Sequence, residues 1–332
     1  MIRSFAFTTQ GKLHSKDLEP FLMPTLLADT NLFLWVDLEN PTDEEVKFFL
    51  EDVFHFHPLS VKDCIDVSSS PKVDEYIPKE DDRFSPYLFI VIHAVDYSRK
   101  DGVFGTRELD FFLGKNFLVT YHMVPFKSIQ ATEERCSRSA THIARAPDRL
   151  VYTLLDGIVD NYKPALEELS LTIAGLEEQA LKRPDAEVLN QIIQVKKEVL
   201  HLRQIIGPQL EVVSRFSRGE FKLIRAHLLP YYRSIYDGLF RISELAQIYT
   251  DSLTGILQVY LSMSSNQTGE VIKLLTLITI VTTPPMIIGT WFGMNFKHMP
   301  ELESTISYPL VIFVTVMITG ATFLYFRKKR WF

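Results

Sequence analysis

Hydrophobic and polar positions divide the 332-residue chain into stretches of different period. Residues 1–148 carry short apolar runs bounded by turn residues, the pattern of an α/β domain. Leu32–Leu38 is one such run, closed by Asn40-Pro41. Thr42 then stands where it caps a helix with Asp43, Glu44 and Glu45 in its first turn. Tyr87–Val95 is β-branched and aromatic and predicts a buried strand. Leu109–Leu113 and Phe117–Tyr121 flank Gly114-Lys115-Asn116 and predict a hairpin. Together they imply a sheet covered by helices.

From Arg149 the period becomes helical. Residues 149–216 read as an antiparallel helix pair, Leu150–Leu181 and Asp185–Phe216, joined at Lys182-Arg183-Pro184. Pro164 and Gly207-Pro208 are places where either helix can bend. Within 217–270, Pro230 suits the first turn of a new helix. Tyr232, Ile235, Leu239, Ile242, Ala246, Tyr249, Leu253, Ile256 and Tyr260 then recur at three- and four-residue spacing as one apolar stripe. No strong stop follows before Phe292. As one helix, Pro230–Phe292 extends about 95 Å at 1.5 Å per residue, too long to bury its stripe within one small domain. A stalk that bundles with copies of itself is the sharper reading.

Leu274–Phe292 and Ser304–Phe326 contain no charged residue. About 20 apolar residues cross the hydrocarbon core, so two spans are expected, over 271–292 and 304–326, with an external loop at 293–303 and a basic tail at 327–332. The fold expected is therefore an α+β domain with a long helix pair, then a very long stalk and pore helix, then a second transmembrane helix.

Charge sharpens this picture. The net charge of −6 argues against nucleic acid as a partner. Arg327, Lys328, Lys329 and Arg330 sit together, leaving the rest of the chain more acidic than that total. By the positive-inside rule the tail belongs on the cytoplasmic side, and two spans return the chain to the side it came from. Met1–Pro20 lacks the apolar core of a signal peptide. Both termini are thus expected in the cytoplasm, with the spans in the plasma (inner) membrane and in contact with its lipid. Two cysteines are too few for a disulfide framework or a closed zinc site.

Chemistry concentrates in the first span and its outer end. Thr268, Ile272, Thr276, Thr279, Thr283, Met286 and Thr290 fall on one helical face, with Leu275 near its inner end. A hydroxylic stripe on a spanning helix is either glue between helices or a pore lining. In the second reading, Ile272 and Leu275 are candidates for a hydrophobic constriction. Pro284-Pro285 removes two helix donors and frees the carbonyls of Ile280 and Val281. The span ends in Thr290-Trp291-Phe292-Gly293-Met294-Asn295-Phe296, followed by Met299-Pro300-Glu301-Leu302. The bland alternative for Gly293 and Asn295 is a helix C-cap with a left-handed glycine.

Gly-Met-Asn at that position resembles the signature of the CorA family of magnesium transporters, and Met-Pro-Glu-Leu resembles its bacterial and archaeal magnesium branch. Tyr260-Leu261-Ser262 with Ser265-Asn266, Leu155-Asp156 with Val159-Asp160-Asn161-Tyr162, and Phe111-Phe112-Leu113-Gly114-Lys115-Asn116 extend the likeness over nearly the whole chain. The resemblance implies a homopentamer that passes Mg²⁺, and Co²⁺ or Ni²⁺ less well. Gly293, Met294 and Asn295 then form the pore mouth, where five asparagine carboxamides meet a hydrated ion. Mg²⁺ dehydrates reluctantly, which suits neutral oxygen acceptors that approach it through its waters. The resemblance also implies Mg²⁺ sensing by carboxylates, with Glu80, Asp81, Asp82 and Asp237 as candidates. Departures are Lys297, where relatives often carry an acid, Gly269 in place of a common asparagine, and Ser234 in place of an aspartate.

No phosphate-binding loop of the Walker type is present, because Gly114-Lys115-Asn116 lacks the upstream glycine and the hydroxyl. No nucleophile stands with an attendant base, so neither an enzyme nor a nucleotide cofactor is expected. The membrane potential suffices, since two charges crossing 100 mV gain about 4.6 kcal/mol. The competing readings are a related, proton-coupled zinc transporter and a non-conducting membrane-tethered sensor or scaffold.

Overall fold

The computed structural model describes residues 1–66, 70–80, 82–95, 106–182, 184–294 and 306–328. Among these, seven strands form one mixed sheet: β1 (Ile2–Thr8), β2 (Leu13–Lys16), β3 (Leu32–Glu39), β4 (Lys72–Tyr76), β5 (Tyr87–Val95), β6 (Thr106–Gly114) and β7 (Phe117–His122). Their order is β2-β1-β3-β7-β6-β5-β4. Only β3 and β7 pair in parallel, with Val36 opposite Val119. The expected hairpin is present as β6–β7, with Leu113 opposite Leu118. β5 is buried along almost its whole length because the sheet is covered on both faces.

One face carries an aromatic-rich core that joins Val36, Phe56, Tyr87, Phe89, Phe112 and Val119. It is closed by α1 (Met23–Ala28), α2 (Asp43–Val46, continued by a wider turn over Lys47–Val53) and α3 (Pro58–Ile65). α2 starts in a capping box: the Thr42 hydroxyl accepts from the Glu45 amide, and the Glu45 carboxylate accepts from the Thr42 amide. His57 caps α3 by accepting from the Leu59 amide, and His55 bonds the Glu51 carbonyl, so both histidines are occupied locally. The other face is covered by α4 (Lys127–Ser139) and α5 (Pro147–Asp160).

The first helical stretch differs from expectation. It is two helices, α5 and α6 (Tyr162–Lys182), interrupted at Asn161. Pro164 lies in the first turn of α6, where its missing N–H costs no intrahelical bond, and so it does not bend the helix. α7 (Ala186–Ser217) runs through Pro208 unbroken. Next comes α8 (Leu229–Phe292), 64 residues in one helix, and then α9 (Ser307–Lys328).

Two compact units result: Met1–Glu178 with Asn190–Ile256, and Gln179–Leu189 with Leu257–Phe332. In the first, the α8 stripe is buried at Tyr232, Ile235, Leu239, Ile242, Ala246, Leu253 and Ile256. The Tyr232 hydroxyl donates to the Asp148 carbonyl, and Tyr249 donates to that of Leu166. In the second, no described residue of α8 beyond Tyr260 is buried, and none of α9 is. The carboxyl-terminal part of α8 and the whole of α9 are long and apolar enough to cross a membrane.

Candidate ion pathway

Eight predicted residues lie on α8 past the end of its buried stripe: Thr268, Ile272, Leu275, Thr276, Thr279, Thr283, Met286 and Thr290. At 100° per residue they occupy an arc of about 100°, so one helix brings them onto one face. Thr276 and Thr283 are half-buried and the other six are exposed.

Four of the five threonine hydroxyls of this face are oriented by their own helix. Thr268 donates to the Ser264 carbonyl at 3.0 Å, Thr279 to Leu275 at 2.9 Å, Thr283 to Thr279 at 2.6 Å and Thr290 to Met286 at 2.7 Å. A threonine hydroxyl has one hydrogen and two lone pairs. With the hydrogen committed to the i−4 carbonyl, what remains on the oxygen is acceptor only. Such a surface takes hydrogen bonds from water whose hydrogens point outward, which is how water is oriented around a cation.

α8 stays helical through Pro284-Pro285. The carbonyls of Ile280 and Val281 lose their i+4 donors there, yet on the same wheel both lie outside the threonine arc. The Thr282 hydroxyl donates to the Ile278 carbonyl at 2.8 Å and so adds a further bond to this turn.

At its outer end α8 stops at Phe292. The Gly293 amide still donates to the Gly289 carbonyl at 3.0 Å, and the Met294 amide reaches the Trp291 carbonyl at 3.4 Å. Gly293 is not among the residues with positive φ, so it does not supply the left-handed cap of the bland alternative. A Cβ at Gly293 would lie 3.2 Å from the Gly289 carbonyl oxygen, a tight approach inside the last turn. Asn295 lies outside the described residues, as do the rest of the loop through Thr305 and the basic tail from Lys329.

The carboxylates proposed for sensing are only partly described. Glu80, Asp82 and Asp237 are exposed, and Asp81 lies outside the described residues. The Asp82 carboxylate accepts from the Lys79 amide at 2.9 Å and closes its own turn. Among the described residues of one chain, no three His, Cys, Asp or Glu side chains are grouped as a metal site requires.

Two clusters of buried charge escaped the sequence reading. Asp37 accepts from the Thr120 hydroxyl and pairs with His122 across β3 and β7, the His122 Nε2 lying 3.1 Å from Asp37 Oδ1. Asp110 on β6 is almost fully buried, and desolvation together with nearby Glu108 holds its carboxyl well above the usual carboxylate range, against the Cys64 hydrogen bond that lowers it. The signal for the second was two acids, Glu108 and Asp110, alternating around Leu109 and running into the apolar Phe111–Leu113.

Comparison with known proteins adds to this geometry. Residues 31–328 match the family model of the CorA-like Mg²⁺ transporter protein. The cobalt/magnesium transport protein CorA of Thermotoga maritima is 32% identical over 305 residues, which cover 91% of this chain and 84% of that protein. The putative metal ion transporter YfjQ of Bacillus subtilis is 28% identical over 298 residues, 90% of this chain and 89% of that one. In fold, the complete structure of the CorA magnesium transporter from Methanocaldococcus jannaschii superposes with a TM-score of 0.81 over 99% of this chain and 98% of that one, at 21% identity.

Proposed function

Because the chain belongs to the CorA-like Mg²⁺ transporter family, a family of membrane proteins, we propose that it assembles as a homopentameric channel for Mg²⁺ with α8 lining the pore. The observation that carries this reading is the threonine face of α8, where Thr268, Thr279, Thr283 and Thr290 commit their hydroxyl hydrogens to the helix's own carbonyls and leave their lone pairs outward. It suits an ion that travels with its water shell, as the reluctance of Mg²⁺ to dehydrate favours. Gly293, Met294 and Asn295 follow that face in sequence and form the pore mouth. Ile272 and Leu275 form the constriction that closes by dewetting. Both termini are cytoplasmic, the protein resides in the plasma (inner) membrane, and the membrane potential drives uptake. Co²⁺ passes as well, a reading supported by the name of the Thermotoga relative, and less readily than Mg²⁺. Ni²⁺ is treated alike.

The test is Mg²⁺ uptake by purified protein in liposomes under an imposed inside-negative potential. Asn295→Ala abolishes uptake while the oligomer stays intact by size-exclusion chromatography. Uptake at the wild-type rate in that variant refutes the assignment of the mouth. For regulation, millimolar Mg²⁺ bound by Glu80, Asp81, Asp82 and Asp237 across subunit boundaries holds the pore closed. Protease protection then rises with Mg²⁺ in the wild type and less in Asp237→Ala or Asp82→Ala. Equal protection in both variants removes these residues from the sensor.

A further inference from the structure

A concave basic site lies at the start of α5, apart from the α8 face. His142, Arg145, Arg149, Arg225, His227 and Tyr231 line a cavity of about 380 Å³. Two stretches distant in sequence supply them: the turn before α5 with the first turn of α5, and the short segment that leads into α8 with the first turn of α8.

Three guanidinium groups line this cavity, and one carboxylate, Asp148, pairs with Arg225. Asp148 is almost fully buried and accepts four hydrogen bonds, from the Arg149 amide, the Arg225 amide, and Nε and Nη2 of the Arg225 side chain. Both of its oxygens are therefore used, and its charge is matched by Arg225 alone. That pairing leaves Nη1 of Arg225 available. Arg145 donates only to the Thr141 carbonyl of its own turn, at 2.8 Å. Arg149 is held over two aromatic rings, 4.9 Å from the Tyr152 centroid and 4.4 Å from that of Tyr231. Neither Arg145 nor Arg149 forms an ion pair among the described residues. Asp156, farther along α5, feels the charge of Arg149 but does not line the cavity.

Two positive charges in excess thus converge on a concave surface in a chain that is acidic overall. The amino-terminal turn of α5, which opens with Pro147, adds its dipole to the same side. Arginine forks match phosphate oxygens two at a time, and a phosphate group carries about −1.5 to −2 charges at neutral pH, which balances this excess better than one carboxylate. The volume falls in the range of small-molecule sites rather than that of a single ion. We infer that this cavity binds a phosphate-bearing polyanion, with Arg145 and Arg149 as its principal contacts and His142 and His227 donating at the rim.

Isothermal titration of the full chain in zwitterionic nanodiscs with sodium tripolyphosphate tests this. Saturable binding is expected, weakened about 10–100-fold by Arg145→Ala and abolished by Arg145→Glu, with Arg145→Lys intermediate between wild type and Arg145→Ala because it keeps the charge but not the fork. The Arg145 side chain is exposed and its hydrogen bond stays within its own turn, while its Cγ packs beside Gly11, so these variants are expected to stay folded, which their melting temperatures check. His227→Ala gives an independent reading and weakens binding about 3–10-fold. Arg138→Ala removes an exposed positive charge from α4 and leaves binding unchanged. Because lipids also carry phosphate, a second arm presents the chain with vesicles containing phosphatidylinositol phosphate. Tripolyphosphate binding in neutral nanodiscs identifies a soluble ligand, and binding to those vesicles alone identifies a lipid headgroup. Either must depend on Arg145. Binding that survives Arg145→Glu, that falls equally in Arg138→Ala, or that occurs with neither probe overturns the inference.

Discussion

Replacing Thr279 with valine isolates what the hydroxyls of α8 contribute. The side chain keeps its shape and β-branching, and helix propensity hardly changes. The Leu275 carbonyl loses the Thr279 hydroxyl at 2.9 Å but keeps the backbone N–H of residue 279, because both stand at i+4. Folding therefore loses little. The proposed pathway loses the two outward lone pairs, and in a pore of several copies it loses them from every copy at one level. One hydrogen bond not made to the shell of a passing ion is worth about 1–1.5 kcal/mol. Placed on the barrier of conduction, that slows flux about 5–10-fold, and more if several copies contact the ion at once. Thr322→Val on α9 is the matched control, since Thr322 donates to the Ile318 carbonyl at 2.8 Å in the same way. Potential-driven Mg²⁺ uptake into liposomes is expected to fall at least fivefold in Thr279→Val and to stay at wild type in Thr322→Val. Melting temperatures of both are expected to match. Wild-type flux in Thr279→Val, or an equal fall in both variants, refutes the placement of this face on the ion's path.

Further expectations concern the first unit. Leu239 is fully buried on α8, so Leu239→Ala costs about 2–5 kcal/mol, read as a lower denaturant midpoint by circular dichroism. An unchanged midpoint shows that the stripe is not packed as described. Asp110 holds its proton in the folded state to a higher pH than in the unfolded chain. Between the ordinary aspartate pKa and the raised one the native state binds more protons, so stability falls as pH rises through that window and the penalty is constant above it. Asp110→Asn removes that slope and stabilises the protein at neutral pH. Thermal melting from pH 4 to 8 checks this, and a variant as pH-sensitive and as stable as wild type contradicts it.

Sequence pattern located those elements whose burial is one-sided or whose ends are marked by specific chemistry. Thr42 with Glu45, the Tyr87–Val95 strand, the Gly114-Lys115-Asn116 turn and the α8 stripe all appear where their residues place them. β1, β2 and β4 were not foreseen, for different reasons. β1 is buried at Ser4, Phe5, Ala6 and Phe7 in succession, so it shows no alternation, while β2 and β4 are short and polar. The break at Asn161 was also hidden. Apolar residues of helical spacing run on both sides of it, and the nearby Pro164 drew attention to the wrong place.

The pathway was legible to a different depth at each level. Residue spacing alone places the threonines on one face, because a single regular helix carries them and no tertiary contact has to be guessed. What the face offers an ion depends on where each hydroxyl hydrogen goes, and that follows from backbone geometry. A threonine inside a helix finds the i−4 carbonyl within reach. Each such residue becomes an acceptor without any partner chain to orient it. The basic cavity is the opposite case. Arg145, Arg149 and Arg225 carry no shared period, and only the fold that buries Asp148 beneath them makes their charges converge. A site on one helix can be read from spacing, whereas a site between segments follows from what the fold spends its counter-charges on.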